Sequence, residues 1–470
     1  MNAATDRTLP DVLPAKVAIA GFARSGRALA SALRDRGVAV SVADEKPASA
    51  FPESAELADR GVAFFFGRSG EGALALEGAD WLALSPGVPL DAPIVAAARR
   101  KKMPVLAEFE IAWRIAESEV EGANRWVAVT GTNGKSTTTA WIADVLRRAG
   151  RPVALAGNIG VPLSAFLSER APRDFVCELS SFQLETVDRF APQVAVLTNV
   201  TPDHMDRYPD FEAYARAKER VFARQRPDDA SVVNADNPRA AAARTPARRV
   251  PFSRMGAVAG GVWARDGVIR SAIAGPEREV LAADALALPG THNLENALAV
   301  VAAADCLAAP PDAIAEALTR FAGLPHRSQL VAEARGVRWV DDSKGTNVDA
   351  TQKCLEGFPD GRVILILGGR DKHGDFPSLV PTVARAARLV LTIGEAAETI
   401  ERALGGIVPF ERAGTMEVAV LRAGEVAERG DTVLLSPACA SFDAYANYEE
   451  RGNHFATLAR AVAARAATTE

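Results

Sequence analysis

The stretch Trp126-Val-Ala-Val-Thr-Gly-Thr-Asn-Gly-Lys-Ser-Thr137 decides the fold. Its first five residues are apolar or β-branched and read as a buried strand. A turn with two glycines follows, and Lys135 opens a helical pattern that continues to residue 149. Strand, glycine turn and helix in that order begin a βαβ unit. Gly131 and Gly134 let the backbone wrap with several N–H groups pointing inward, and the helix N-terminus adds partial positive charge, so the turn suits a phosphate. Lys135 can reach the β- and γ-phosphates of a nucleotide, and Ser136 can ligate Mg²⁺. Val129 occupies the first glycine position of the strict GxxxxGK[ST] pattern, but the shorter GTNGKS loop keeps the groups that touch phosphate. Gly131, Thr132, Asn133, Gly134, Lys135, Ser136 and Thr137 are therefore candidate nucleotide contacts.

The same alternation extends in both directions. Upstream, residues 17–20, 39–43, 62–66 and 81–84 read as strands, and 25–36 and 91–102 as helices. Downstream, 152–156, 174–177 and 194–197 read as strands of the phosphate-loop unit. Residues 248–288 become short, strand-like and glycine-rich, and read as a small antiparallel insert; 293–308 return to a helix. Past the linker Gly323-Leu-Pro-His326, strands are expected at 336–341, 363–367, 389–393 and 432–435. The expected class is α/β with three domains. These are a Rossmann-like unit (1–118), a phosphate-loop unit with the insert (119–323) and a second Rossmann-like unit (324–470). A chain of 470 residues fits three domains at roughly 150 each.

Composition removes several classes. Lys and Arg number 54 against 59 Asp and Glu, a formal net charge of −5, which gives no field for gripping nucleic acid or anionic lipid. No apolar run approaches the ~18–20 residues of a membrane span. Residues 1–16 carry Asp6, Pro10, Asp11 and Pro14 and lack a basic start followed by an apolar run, so no secretory signal is expected. Cys177, Cys306, Cys354 and Cys439 are far apart, which fits a reducing cytoplasm without a disulfide scaffold or a local zinc cluster.

Further polar motifs stand at expected strand ends. Gly21-Phe-Ala-Arg-Ser-Gly26 follows the first strand, and Asp44 ends the second. This is the layout of a dinucleotide-type unit, but Ala23 replaces the glycine that lets a pyrophosphate approach. Either another nucleotide is held there or the turn serves packing. Glu178 ends a strand beside the phosphate loop, where it is either a Mg²⁺ ligand or a surface glutamate. Asp203-His204-Met-Asp206 follows another strand and could ligate metal or phosphate. Four of the five histidines (His204, His292, His326 and His373) lie in such motifs. Lys218, within an expected helix over 211–222, reads by pattern as an ordinary exposed lysine. Asp341 to Asn347, Asp371-Lys372 and Ser436 to Asp443 are three polar loops that together could line one face for an anionic substrate. Arg99 to Lys102 and Arg244, Arg248 and Arg249 read as solvated segments, and Cys439 as structural.

Nine motifs in order resemble one family. They are GTNGKST (131–137), GNIG (157–160), ELSSFQLE (178–185), TPDHMDRYP (201–209), THNLENALA (291–299), LPHR (324–327), DDSKGTN (341–347), LGGRDK (367–372) and SPACASFDAYANYEERG (436–452). They resemble the Mur ligases of bacterial peptidoglycan synthesis, and most of all the D-glutamate-adding type. The resemblance implies an ATP-dependent ligase that phosphorylates the alanyl carboxylate of UDP-N-acetylmuramoyl-L-alanine and then accepts attack by D-glutamate. It implies that Arg24, Ser25, Asp44, Glu45, Lys46, Ser85, Pro86, Gly87, Asn158 and Gln183 hold the UDP substrate. It implies that Asn293, Arg327, Asp342 and Lys344 surround the nucleotide, and that Thr346, Lys372, Ser441, Phe442 and Tyr448 receive D-glutamate. Two Mg²⁺ ions are implied, one at Ser136 and Glu178, the other at His204 and Lys218, where Lys218 carries a carbamate made with CO2. Lys135, Glu178, His204, Lys218 and Lys344 form the implied catalytic set. The implied partners are small molecules, with no nucleic acid and no membrane insertion, and the enzyme is expected to be a cytoplasmic monomer. L-glutamate as the added residue, a folylpolyglutamate-synthase-like ligase and an ATP-gated binding protein are the competing expectations; a dehydrogenase is more distant.

Overall fold

Runs of Val, Ile, Leu and Ala bounded by turn residues form the strands of three separate sheets. The computed structural model describes residues 13–67, 71–120, 124–205, 207–288 and 290–468. The start of the N-terminal stretch, residues 1–12, and Asp206 of the histidine motif lie outside the described residues.

The N-terminal unit contains β1 (Lys16–Ala20), α1 (Arg24–Arg34), β2 (Ala39–Asp44), α2 (Ser54–Asp59), β3 (Ala63–Phe66), β4 (Trp81–Leu84), α3 (Pro93–Arg100) and β5 (Val105–Ala107). Its sheet is parallel in the order β3-β2-β1-β4-β5. The winding reverses between β1 and β4, which opens a crevice at the C-terminal strand ends. Gly26 is needed for close packing there, since a Cβ on it would stand 2.0 Å from the carbonyl oxygen of Gly21.

Helix α4 (Glu108–Glu119) leads into the central unit. That unit has β6 (Arg125–Thr130), α5 (Lys135–Arg148), β7 (Val153–Gly157), β8 (Asp174–Glu178), α6 (Ser181–Leu184), β9 (Val194–Leu197), α7 (Phe211–Glu219), β10 (Ala230–Asn234) and α8 (Pro238–Ala241). It continues with β11 (Arg248–Ser253), β12 (Val262–Arg265), β13 (Val268–Ser271), β14 (Arg278–Ala282), α9 (Thr291–Cys306) and α10 (Pro311–Arg320). The sheet order is β14-β13-β12-β11-β10-β9-β6-β8-β7, with β6 and the phosphate loop well inside it. The expected insert is narrower than 248–288. Strand β11 pairs parallel with β10 and with β12, and only the β12–β13 and β13–β14 pairings are antiparallel, as an extension of the main sheet.

The C-terminal unit has β15 (Gln329–Ala334), β16 (Val337–Asp341), α11 (Val348–Leu355), β17 (Val363–Gly368), α12 (Phe376–Ala386), β18 (Ala387–Ile393), α13 (Ala397–Leu404), β19 (Phe410–Gly414), α14 (Met416–Val426), β20 (Thr432–Leu435) and α15 (Tyr448–Thr468). Its order is β15-β16-β20-β17-β18-β19, with β15 antiparallel to β16 and the remaining pairs parallel. The polar loops after β16, β17 and β20 therefore leave adjacent strands at one sheet end.

One buried apolar cluster runs from Val17 and Phe22 through Phe109, Ile111 and Ile115 to Trp126, Phe175 and Phe190, and so joins the first two units. The two clusters of the third unit draw only on residues from 337 onward. Among the described residues no helix is long and apolar enough to cross a membrane, and all four cysteines are free thiols.

Candidate active site

The phosphate loop leaves β6 and enters α5 through Gly134 as N-cap in the left-handed region (φ 80°). A Cβ on Gly131 would stand 2.0 Å from Thr198 Oγ1, and one on Gly134 2.3 Å from Asn296 Oδ1, so both positions require glycine. Lys135 Nζ donates to the Thr132 carbonyl at 2.7 Å. Burial lowers its ammonium pKa; Glu178 and Asp203 oppose that effect, while Arg327 and Lys372 add to it. The lysine thus sits among charges from both the central and C-terminal units.

Glu178, at the end of β8, is 1% exposed. Its Oε1 accepts from Asn158 Nδ2 at 2.6 Å, while Oε2 is buried without a well-formed hydrogen bond. Burial would raise its carboxyl, but Lys344 and Lys135, with Asn158 and Ser136, outweigh burial and hold it below the ordinary range. An ionised, buried carboxylate oxygen beside a phosphate loop is an acceptor suited to a hard cation.

His204 and Lys218 flank the other side of the loop. His204 has φ 57° and packs its ring edge-on against Phe182 at 4.8 Å. Burial, with Lys372, Lys218 and Lys135 nearby, brings its pKa down to about 4 against the pull of Asp203. The imidazole is neutral near pH 7, the form that binds metal. Lys218 is 2% exposed, which overturns the reading of an ordinary surface lysine. Its Nζ donates to the Gly131 carbonyl at 2.7 Å and lies 4.4 Å from the centre of the Tyr214 ring. Burial and Lys135 push its ammonium well below the usual range. Burial thus disfavours the charged form of this amine, and the uncharged form is the one that can add CO2. Among the described residues no three His, Cys, Asp or Glu side chains gather as a metal site, so a cation held at Glu178 or His204 needs further ligands from the nucleotide and water.

A second set is shared by the central and C-terminal units. Arg327, Asp342, His292 and Asn296 line a cavity together with Asn133 and Gly134. Asn293 is buried, and its Oδ1 accepts from Asn296 at 3.3 Å. Of that asparagine pair, Asn296 is the one that lines the cavity. The spacing of Asn293 and Asn296 on α9 is the helical i,i+3 signal that could have found it. Asp342 accepts from Ser436 Oγ at 2.8 Å and Ser328 N at 3.1 Å. Burial raises its carboxyl to about 6 despite Arg327. Burial and the neighbouring Arg327 and Lys135 bring Lys344 down to about 8, and its Nζ lies 5.0 Å from the Tyr448 ring centre.

The positions expected to receive an amino acid are partly brought together. Lys372 Nζ pairs with Asp203 of the central unit at 2.9 Å. Ser441 is buried and Phe442 is 62% exposed. Thr346 N donates to the Lys344 carbonyl at 2.9 Å, so that turn is tight. Sequence reasoning missed Arg451, which binds the two loops together. It is 1% exposed and donates to Ser343 Oγ (3.0 Å), to the Ser343 carbonyl (2.8 Å), and to the carbonyls of Cys439 (3.1 Å) and Ala440 (3.2 Å). The adjacent Gly452 packs tightly as well, since a Cβ there would meet His326 Nδ1 at 2.2 Å.

The third region is a cavity of about 1200 Å³ between the N-terminal and central units. All ten positions expected to hold the UDP substrate line it: Arg24, Ser25, Asp44, Glu45, Lys46, Ser85, Pro86, Gly87, Asn158 and Gln183. Asp44 fixes the turn by accepting from Phe22 N at 2.8 Å and Lys46 N at 2.9 Å. Ser85 Oγ donates to the Gly21 carbonyl at 2.9 Å. Arg24 donates to the Gly160 carbonyl and so ties the two units across the cavity. Arg100 also lines it, although the basic run at 99–102 reads as solvated.

Residues 15–107 match the domain described as Mur ligase MurD-like, N-terminal domain; 129–304 match the Mur ligase middle domain; 326–439 match the Mur ligase, glutamate ligase domain. The chain is 43% identical to the UDP-N-acetylmuramoylalanine–D-glutamate ligase of Acidobacterium capsulatum, over 94% of this chain and 95% of that protein. It is 44% identical to the enzyme of the same name from Anaeromyxobacter dehalogenans, over 96% and 98%. In fold it is similar to the UDP-N-acetylmuramate-alanine ligase of Thermotoga maritima (TM-score 0.60, 19% identity, 95% of this chain and 99% of that one). It is also similar to the ADP complex of a MurF ligase from the same organism (TM-score 0.59, 15% identity, 91% and 95%).

Proposed function

The chain belongs to the Mur ligase family, and on that premise we propose how its residues join D-glutamate to UDP-N-acetylmuramoyl-L-alanine. The reaction is an ATP-dependent amide formation that yields UDP-N-acetylmuramoyl-L-alanyl-D-glutamate, ADP and phosphate. The observation that carries the reading is the convergence of Lys135, Lys344, Arg327 and Lys372 on Glu178 and Asp203, where the units meet. A carboxylate attacking a triphosphate brings like charges together, and fixed cations lower that barrier.

The cavity between the first two units holds the UDP end, with Asn158 and Gln183 at the wall nearest the phosphate loop. The alanyl carboxylate attacks the γ-phosphorus, ADP leaves and an acyl phosphate forms. Gly134 to Thr137 present backbone N–H groups to the phosphates, since Thr132 N and Asn133 N already donate to Asn199, and Lys135 and Lys344 offset the charge that moves onto the β–γ bridge. Asn293, Asn296, Arg327 and Asp342 hold the nucleoside end. Thr346, Lys372, Ser441, Phe442 and Tyr448 bind D-glutamate, whose free amine attacks the acyl carbon. The tetrahedral intermediate then expels phosphate and the amine loses its proton.

Divalent cations, when bound, supply charge screening for the phosphates. Glu178 Oε2 with Ser136 would hold one, and His204 with carbamylated Lys218 the other. Lys218 fits the carbamate because its amine is buried, donates to the Gly131 carbonyl and is pushed toward neutrality by burial and Lys135, against the pull of Asp203 and Glu178. All of this machinery comes from one chain, so the reading needs a single copy, working in the cytoplasm where ATP and the UDP precursor are made.

The test is phosphate release from ATP and Mg²⁺ with UDP-N-acetylmuramoyl-L-alanine, comparing D-glutamate, L-glutamate and no amino acid. Release that needs the UDP precursor and D-glutamate is the expected result. Release with L-glutamate instead keeps the chemistry and changes the product. ATP binding without amino-acid-dependent release overturns the reading in favour of a nucleotide-gated binding protein.

A further inference from the structure

Asn133 stands in the middle of the phosphate loop, yet its side chain does not turn toward the loop's interior. Its main chain is already held within the central unit: Asn133 N donates to Asn199 Oδ1 at 2.9 Å, and its carbonyl accepts from Thr198 Oγ1 at 2.6 Å and Asn199 Nδ2 at 3.1 Å. The side chain crosses to the C-terminal unit, where Nδ2 donates to Asp349 Oδ2 and Oδ1 lies 3.5 Å from Asn347 Nδ2. The same Asp349 oxygen accepts from Thr201 Oγ1 at 3.0 Å. Asn347, the N-cap of α11, also donates to Asp203 Oδ2 at 2.9 Å. Asp349 thus receives two side-chain donors from the central unit, one from the phosphate loop and one from the loop after β9.

Asp349 lies in the first turn of α11, directly after the loop that carries Asp342, Lys344 and Thr346. Fixing its carboxylate against Asn133 and Thr201 fixes that loop's register against the phosphate loop. We propose that Asp349 is a positioning residue for the ligation, acting through Asn133 and Thr201 to place Lys344 over the bound phosphates and Thr346 beside the incoming D-glutamate. This rests on the reading that Lys344 and Thr346 address the reacting groups. Asp349 itself lines neither the cavity beside the phosphate loop nor the one between the first two units. The UDP precursor binds between the other two units and does not depend on this contact.

The test compares Asp349→Ala, Asp349→Asn and Thr201→Val in the full-length chain by steady-state phosphate release. Losing hydrogen bonds to a charged acceptor is expected to lower kcat/KM for D-glutamate about ten- to a hundred-fold in Asp349→Ala. KM for UDP-N-acetylmuramoyl-L-alanine stays within about twofold, because its cavity is untouched. Asp349→Asn keeps an acceptor oxygen and recovers most of the loss. Thr201→Val gives a smaller loss that does not add to that of Asp349→Ala. Wild-type kinetics in Asp349→Ala overturn the proposal. So does a loss that Asn fails to recover, or one that shifts KM for the UDP precursor equally, since that marks general damage to the fold. If the wild-type protein shows no D-glutamate-dependent release, the functional reading itself falls, and this proposal with it.

Discussion

Lys344 shows how burial sets a working pH. With Arg327 and Lys135 beside it, its ammonium falls to about 8, so the free enzyme keeps this cation below that pH and loses it above. If the charge stabilises the transferring phosphoryl group, kcat/KM for ATP falls as pH rises through about 8, since this ratio reports the free enzyme. Lys344→Arg stays charged at every accessible pH, so its alkaline limb moves up by at least one unit, even though the altered fork geometry lowers the plateau about tenfold. A pH profile from 7 to 10 checks this, and identical limbs in both proteins would exclude Lys344 as the group responsible. Lys344 was legible because it sits in an ordered polar motif at a strand end. Lys218 was not legible from pattern: α7 buries Tyr214, Ala215, Ala217 and Lys218 together, and only the loops packed over that face convert a lysine at a helical position into a dry amine. Arg451 was missed for the same reason. Its partners are main-chain carbonyls and Ser343, 11 to 108 residues away in sequence, and carbonyls carry no sequence signal.

Helix α4 carries three buried glutamates, and each holds it to the central unit. Glu110 accepts from the backbone N–H groups of Asp188, Arg189 and Phe190 at 3.0–3.3 Å and pairs with Arg114 at 2.8 Å. Glu117 accepts from Trp126 Nε1 at 2.6 Å, and Glu108 from the backbone and hydroxyl of Ser164. Glu110→Ala strands three N–H groups and leaves Arg114 with Asp188 as its remaining carboxylate at 2.9 Å, and is expected to cost about 2–4 kcal/mol in urea unfolding. Glu108 behaves differently, because burial raises its carboxyl to about 7 despite the bonds from Ser164. Between the ordinary carboxylate value of 4.5 and about 7, the folded chain keeps a proton that the unfolded chain has lost. Native stability therefore falls as pH rises through that window and levels off above it. Glu108→Gln removes the ionisation, so its advantage over wild type grows from near zero at pH 4.5 to roughly 1–3 kcal/mol at pH 8. An advantage independent of pH would show that Glu108 ionises freely. Interior strands that are apolar throughout, such as β17 (Val363–Gly368), were plain in the sequence, whereas the interior β10 (Ala230–Asn234) was not expected, because Ser231 and Asn234 break its short apolar run. The strands the pattern did not resolve include β15 and β19, which lie at sheet edges, have few buried residues and carry charges on their open sides.

At the scale of the molecule, the two junctions between units are built differently. The first two units share one apolar cluster through α4, and Arg36, just past the end of α1, reaches Glu119 at 2.7 Å and the Leu167 carbonyl at 2.6 Å. The third unit closes its own clusters. Its contacts with the central unit include polar pairs such as Lys372–Asp203, Thr201–Asp349 and Thr291–Glu356. Polar pairs can part and be resolvated, whereas a shared apolar core cannot be separated without unfolding. The third unit is therefore expected to separate more readily than the first two, which are expected to stay together with the cavity between them. A chain ending at residue 323 tests this. It is expected to fold cooperatively and to bind UDP-N-acetylmuramoyl-L-alanine within about threefold of the full chain, because the ten expected contacts lie before that point. It releases no phosphate, because Arg327, Lys344 and Lys372 are gone. Calorimetry of the full chain should then show two transitions, with D-glutamate plus ATP raising the one that the shorter chain lacks. A single transition common to both junctions, or a truncated chain that cannot hold the UDP precursor, would mean that the third unit stabilises the cavity as well as closing over it.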